Sequence, residues 1–102
     1  MPLFIKTETF TPSTRAFSVQ QRRLHLDDHR AWVEALRSSD CRIASGYLVD
    51  EHQRPGGGGW LVLEAESFQQ AKSLVEKDPM ISRGLVDWTL SEWRSVCGDL
   101  LG

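Results

Sequence analysis

The sequence predicts an α+β domain whose elements follow the order βαββαβ. Four segments have the residue content of strands, two others begin with capping motifs, and the apolar residues after each cap follow helical spacing. The chain has 102 residues, of which 40% are hydrophobic and 25% charged, as in an ordinary globular domain. We therefore expect one domain over residues 1–102, with a ferredoxin-like arrangement in which both helices cover one face of an antiparallel sheet.

The first half of the chain supplies one strand and one long helix. Residues 3–10 are rich in β-branched and aromatic side chains and are soon followed by Pro12, which predicts the first strand. Ser18, with Gln21 three residues later, has the form of a capping box. The helical pattern that follows continues to Leu36 and predicts the first helix.

The middle of the chain predicts two strands joined by a long loop. Residues 42–48 and 60–64 have strand composition, and residues 50–59 between them include four consecutive glycines. A glycine run can cradle a phosphate, but Trp60 starts a strand here and the lysine-serine continuation of such a loop is missing. We therefore expect a flexible hairpin loop. A lid over a neighbouring pocket is an additional role for such a loop.

The last part of the chain predicts a second helix and a closing strand. Ser67 and Gln70 form a second capping-box pattern, and an apolar helical stripe follows it. Pro79 ends this helix, because the residue before a proline is pushed out of the helical region. After a short turn, residues 85–96 alternate in polarity and predict the fourth strand.

Two helices on one face leave the other face of the sheet bare. We expect Trp60, Trp88 and Trp93 on that bare face, where such large rings are unfavourable in water. A second sheet packed face to face would cover them. The sequence therefore predicts a homodimer that forms through the sheet faces.

Charge and composition exclude several classes of protein. Twelve basic and fourteen acidic residues give a net charge of −2, and the basic residues form no block, which argues against a nucleic-acid partner. No apolar run is long enough to span a bilayer, so we expect no membrane association. Cys41 and Cys97 have neither metal-ligand spacing nor the number needed for a disulfide framework, so we expect reduced cysteines and a cytoplasmic location.

His29 and Asp78 are the strongest candidates for chemistry. Trp32, Val33 and Leu36 follow His29 at helical spacing, which places its imidazole on the apolar face of the first helix. A buried imidazole needs a partner for each ring nitrogen, and the Asp78 carboxylate would supply one while it fixes the tautomer. Such a pair suits acid/base proton transfer. In the alternative interpretation, His29 is a hydrogen-bonded core residue and Asp78 only caps the turn that follows it.

Three features occur along the chain at defined places: His29 in the first helix, Gly46 seventeen residues later, and Asp78-Pro79 after the second helix. Together they resemble the YciI-like (YCII-related) family. The resemblance implies a dimeric α+β barrel and a pocket between the first helix and the sheet, with His29 and Asp78 as a catalytic dyad. It also implies that most members have no assigned reaction, while one branch acts as a dehydrochlorinase on a chlorinated hydroxyhydroquinone.

Five further residues are candidates for contacts with a substrate: His25, Trp32, Gly46, Tyr47 and Arg83. His25 lies four residues before His29 on the same helix face, a spacing that also suits two metal ligands, but the sequence offers no clear third ligand. We therefore expect no metal site, and no cofactor. Trp32 equally suits the core, and a glycine within a strand often marks a bulge or the close approach of another group.

The expected function is acid/base catalysis on a small metabolite by elimination, isomerisation or dehydrochlorination. His29 would act as the acid/base and Asp78 would orient it. No serine or cysteine lies in a recognisable nucleophile motif, which disfavours acyl transfer. A non-catalytic domain that binds a small ligand or another protein is the alternative, and an oxygenase on the same fold is a third interpretation.

Overall fold

The computed structural model describes residues 1–99 as one sheet covered on one face by helices. The strands are β1 (Leu3–Phe10), β2 (Ile43–Val49), β3 (Pro55–Glu64) and β4 (Val86–Trp93), and the helices are α1 (Pro12–Arg15), α2 (Val19–Ser38), α3 (Phe68–Val75) and α4 (Pro79–Ser82). All strand pairs are antiparallel, in the order β2-β3-β1-β4. This order is that of the ferredoxin-like arrangement, so the predicted α+β fold class is confirmed. Within residues 1–99, no helix combines the length and apolar character needed to cross a membrane.

Both long helices begin at the serine that the sequence predicts. The Ser18 Oγ accepts a hydrogen bond from the Gln21 N–H at 3.1 Å, and the Gln21 Oε1 accepts one from the Ser18 N–H at 2.9 Å, which completes the capping box of α2. The second box is only half formed. Ser67 caps α3, but the Gln70 side chain accepts a hydrogen bond from the Glu66 N–H instead of the Ser67 N–H.

The hydrophobic core lies between the helices and one face of the sheet. Phe4 of β1 and Leu61 and Leu63 of β3 point to this face and are at most 1% exposed. Ala71 and Val75 of α3 pack against them. The strands thus present alternate residues to the helices, and the residues between them face the uncovered side.

Strand β3 begins five residues earlier than predicted and contains the whole glycine run. Gly59 lies opposite Glu8 of β1 and opposite Tyr47 of β2, so the expectation of a flexible loop here is wrong. Gly58 has a φ of +90°, and a Cβ there would lie 2.4 Å from the backbone oxygen of Glu8. Pairing with neighbours on both sides outweighs the low strand propensity of glycine. The connection is therefore a short turn over residues 50–54.

Strand β4 ends at Trp93, three residues earlier than predicted, and its register corrects the placement of one tryptophan. Trp88 lies opposite Glu8 of β1 and packs against the core on the helix-covered face. Side chains alternate along a strand, and the position numbers of Trp88 and Trp93 differ by an odd number, so the two rings must face opposite sides. Trp60 and Trp93 do lie on the uncovered face, where they are 41% and 38% exposed.

Candidate active site

Asp78 lies at the centre of the candidate site, at the start of α4. Pro79 occupies the first turn of this short helix. Backbone N–H groups there have no partner within the helix, so a proline, which lacks the N–H, costs no hydrogen bond. The Asp78 Oδ1 accepts a hydrogen bond from the Met80 N–H at 3.0 Å, so the aspartate is the N-cap of α4. The side chain is fully buried. Asp78 therefore has the capping role that the sequence allowed, and its carboxylate also faces the helix α2.

His29 lies on the buried face of α2, within hydrogen-bond distance of Asp78. Its Nδ1 is 2.9 Å from the Asp78 Oδ1, and its Nε2 is 2.8 Å from the Ser45 Oγ of β2. A charged carboxylate only accepts hydrogen bonds, so the Nδ1 donates to Asp78, and in the tautomer with its proton on Nδ1 the Nε2 accepts from the Ser45 hydroxyl. The Trp32 ring lies beside the imidazole, with ring centroids 5.8 Å apart. The structure thus places the two predicted dyad residues in direct contact.

Lys6 of β1 completes this buried cluster and is missed by the sequence analysis. Its Nζ lies 2.7 Å from the Asp78 Oδ2, and its side chain is 1% exposed. The Glu8 Oε2 lies 3.5 Å from the same nitrogen. Phe4, Lys6, Glu8 and Phe10 alternate on one face of β1. Two charged residues at inward positions between two phenylalanines were therefore the signal in the sequence.

The neighbours of Asp78 keep its carboxylate charged. Burial by itself raises the pKa of a carboxyl group, because the charged form loses hydration. The hydrogen bond from His29 and the charge and hydrogen bond of Lys6 outweigh this effect, and the pKa of Asp78 lies below its ordinary value. Asp78 therefore carries its negative charge at neutral pH and can orient the imidazole of His29.

Ser45 is the second site residue that the sequence analysis misses. It is exposed on β2 and faces His29, whose Nδ1 is already held by Asp78. Nε2 is therefore the nitrogen that can exchange a proton with a bound molecule. The Ser45 hydroxyl lies 2.8 Å from this nitrogen, although no sequence motif marks it. The two residues are 16 positions apart in the chain, so no local motif contains both.

Of three further predicted contact residues, Trp32 lies on α2 and Tyr47 and Gly46 lie on β2. Trp32 lies beside the His29 ring. Tyr47 lies on the same strand face as Ser45 and is 71% exposed. Gly46 lies between these two positions and faces the uncovered side of the sheet, so the structure does not bring it to His29.

His25 and Arg83, the remaining predicted contact residues, form a separate surface cluster. The Arg83 Nη1 lies 2.8 Å from the His25 Nδ1, and the Arg83 Nη2 lies 2.9 Å from the Asp28 Oδ2. The Phe17 ring stacks on the His25 ring with centroids 5.8 Å apart. These contacts already engage both side chains with other residues, and their role in binding a substrate stays a prediction.

The other nucleophilic and metal-ligating side chains do not add to the site. Within residues 1–99, no three histidine, cysteine, aspartate or glutamate side chains come together as metal ligands. Burial, and after it the nearby charge of Glu64, raises the pKa of the Cys41 thiol. A raised pKa makes the reactive thiolate scarce. Cys41 and Cys97 are both free thiols.

Comparisons with known proteins agree with this fold. The family model of the YCII-related domain matches residues 4–94, whereas no curated protein matches the sequence. A similar solved structure is the 5-chloro-2-hydroxyhydroquinone dehydrochlorinase TftG from Burkholderia phenoliruptrix AC1100 in complex with 2,5-dihydroxybenzoquinone, with a TM-score of 0.66 and 26% identity. The similarity covers 90% of this chain and 93% of the dehydrochlorinase chain. Because the family model covers nearly the whole chain, this protein belongs to the YCII-related domain family.

Proposed function

We propose that this protein is an acid/base catalyst that acts on a small hydroxylated aromatic molecule. The observation that supports this most is the His29–Asp78 contact of 2.9 Å, with Asp78 itself paired to the buried Lys6. The dehydrochlorinase with a similar fold supports the substrate class and an elimination reaction. Isomerisation by the same proton transfer is a related reaction that the site suits.

In this proposal, each member of the cluster has one role. The Nε2 of His29 removes a proton from the substrate, and the electron pair left behind expels the leaving group, chloride in a dehydrochlorination. Asp78 holds the Nδ1 proton and stabilises the imidazolium that forms. Lys6 is a positioning residue that contacts Asp78 rather than the substrate. Its positive charge keeps Asp78 ionised, and the ionised carboxylate orients His29. The imidazolium finally returns its proton to product or solvent.

The wild-type protein tests this proposal with the substrate of the similar enzyme. We expect it to release chloride from 5-chloro-2-hydroxyhydroquinone, and we expect 2,5-dihydroxybenzoquinone to bind and to inhibit that release competitively. A chloride electrode and isothermal titration calorimetry measure the two quantities. Binding of the quinone without chloride release would instead support the non-catalytic ligand-binding domain. Neither binding nor turnover would contradict both the substrate class and the reaction.

We also propose that a second copy of the chain covers the bare face of the sheet. Trp60 and Trp93 are exposed there, and a groove of about 380 Å³ runs over the same face. The groove is lined mainly by apolar side chains, among them Ala44, Leu48, Trp60 and Val62. A face-to-face sheet pair would remove these rings from water, which is the main source of stabilisation in such an interface.

Light scattering on a sizing column tests the dimer. We expect a mass of twice 11.6 kDa for the wild type and a shift to the single-chain mass for Trp60→Glu, because a buried charge at the interface is unfavourable. Leu24→Glu is the control, since Leu24 is an exposed apolar residue on α2, 68% accessible, away from the sheet face. A wild type that runs at the single-chain mass would contradict the dimer.

The cytoplasm is the location that the two cysteines favour. Cys41 and Cys97 are free in the structure, and free thiols are typical of a reducing compartment. A disulfide in protein purified without added oxidant would contradict this location.

A further inference from the structure

The contact between Ser45 and His29 completes a serine-histidine-aspartate arrangement. The Ser45 Oγ lies 2.8 Å from the His29 Nε2, and the His29 Nδ1 lies 2.9 Å from the Asp78 Oδ1. Both distances lie in the range that a nucleophile, its base and the orienting carboxylate require. Ser45 is exposed whereas Asp78 is fully buried. The hydroxyl is therefore accessible to a substrate, while the carboxylate is protected from water.

The edge position of β2 provides hydrogen-bond donors beside this hydroxyl. Among the strands that residues 1–99 form, β2 is at the end of the sheet and pairs with β3 alone. The Glu64 N–H donates a hydrogen bond to the Arg42 carbonyl oxygen at 2.9 Å. In an antiparallel pair, every second residue of a strand forms its backbone hydrogen bonds with the neighbouring strand, so Arg42 and the residues an even number of positions from it bond to β3. Ser45 and Tyr47 are an odd number of residues from Arg42, so their N–H groups point away from β3, to the free edge. Backbone N–H groups in this position suit an oxyanion that develops next to Ser45.

We propose that Ser45 is a nucleophile and that the site forms an acyl-enzyme with esters that carry a small acyl group and a good leaving group. The His29 Nε2 takes the hydroxyl proton as the bond between Oγ and the acyl carbon forms. The bond from that carbon to the leaving oxygen breaks, and the leaving group departs with the electron pair. The proton that His29 holds passes to the leaving group or to solvent, which restores the neutral imidazole. A water molecule, deprotonated by His29, then releases the carboxylic acid and restores Ser45.

The surroundings of the dyad are consistent with an aryl or short alkyl ester. The Trp32 ring, 5.8 Å from the imidazole, offers an apolar wall on one side. This activity is separate from the proposed elimination reaction, although both use the Nε2 of His29 as the base. The two reactions differ in the atom from which that nitrogen takes a proton: Ser45 Oγ here, and the substrate itself in the elimination.

Phenylmethylsulfonyl fluoride tests the nucleophile directly. A reactive serine displaces fluoride as the Oγ–S bond forms, so intact-mass spectrometry detects one sulfonyl adduct, and peptide mapping locates it. We expect the adduct on Ser45 in the wild type, none in Ser45→Ala, and labelling at least about 100-fold slower in His29→Gln, the usual minimum loss with a general base. Ser13→Ala, at an exposed serine on α1, is the control and should label at the wild-type rate. Hydrolysis of p-nitrophenyl acetate with an initial burst is the matching kinetic result.

Two results would overturn the nucleophile. One is a wild type that takes up no sulfonyl group, and the other is an adduct mapped to a residue other than Ser45. Peptide mapping of the wild type gives this answer even where a variant does not fold. Chloride release from 5-chloro-2-hydroxyhydroquinone without labelling would contradict only the proposal that Ser45 is a nucleophile. Labelling of Ser45 without chloride release would support that proposal and contradict the elimination reaction.

Discussion

The Asp78→Asn variant is expected to lose about 3–5 kcal/mol of unfolding free energy. The substitution keeps the size of the side chain and the oxygen that caps α4, but removes the charge that pairs with the Lys6 Nζ at 2.7 Å. Lys6 is fully buried, so its ammonium group would lose its partner at 2.7 Å and keep only the Glu8 carboxylate, 3.5 Å away, with no access to water. Urea denaturation followed by circular dichroism measures the difference.

A surface pair with the same chemistry provides the control. Asp28 pairs with Arg83 at 2.9 Å, but its side chain is 54% exposed, so Asp28→Asn should cost about 1 kcal/mol or less. Adding Lys6→Met to Asp78→Asn should restore part of the lost stability, because it removes the buried ammonium group that has lost its main partner. An Asp78→Asn variant as stable as Asp28→Asn would show that the Lys6–Asp78 pair does not hold the site together.

The stability that Asp78 contributes should also depend on pH. Its pKa in the folded protein lies below the ordinary value, whereas in the unfolded chain it titrates near about 4. The contribution is therefore complete above about pH 4 and is lost as the pH falls through the lower folded pKa. The difference between wild type and Asp78→Asn should thus be largest at about pH 7 and smaller at about pH 3. A difference that grows in acid would contradict a charged Asp78.

The His29→Gln variant is expected to show the largest loss of activity, a decrease in kcat of about 100-fold to about 10,000-fold for chloride release. Glutamine can still form hydrogen bonds with Asp78 and Ser45, but it cannot accept and return a proton near neutral pH. The value of KM should change much less than kcat, because the lost interaction belongs to the transition state. Steady-state kinetics with 5-chloro-2-hydroxyhydroquinone measure both constants.

His52→Gln is the matched control for this loss. His52 lies in the turn between β2 and β3, with 66% of its side chain exposed, and should retain wild-type kcat. Circular dichroism and the urea midpoint of His29→Gln should show that the fold is intact. Equal kcat values for His29→Gln and the wild type would rule out His29 as the acid/base.

Features with local causes could be predicted from the sequence. The hydroxyl of Ser18 and the amide of Gln21 interact within one turn, so the start of α2 follows from their spacing. His29 and Val33 are the buried residues of α2, as helical periodicity predicts. The resemblance to the YciI-like family, which rests on His29, Gly46 and Asp78-Pro79, is confirmed by the family match. The start and the buried face of α2 depend on residues that lie close together in the chain, whereas the family resemblance depends on residues spread along it.

Features that depend on the pairing of distant segments were decided only by the tertiary structure. Lys6 reaches Asp78 across 72 positions of the chain, and Ser45 reaches His29 across 16, so neither contact has a local signature. The glycine run is a strand rather than a loop, because β1 and β2 pair with it on both sides. The fold class and the candidates His29 and Asp78 thus followed from sequence patterns. The contact of Lys6 with Asp78 and that of Ser45 with His29 depend instead on sheet register and on the packing of α2 and α4 against the strands.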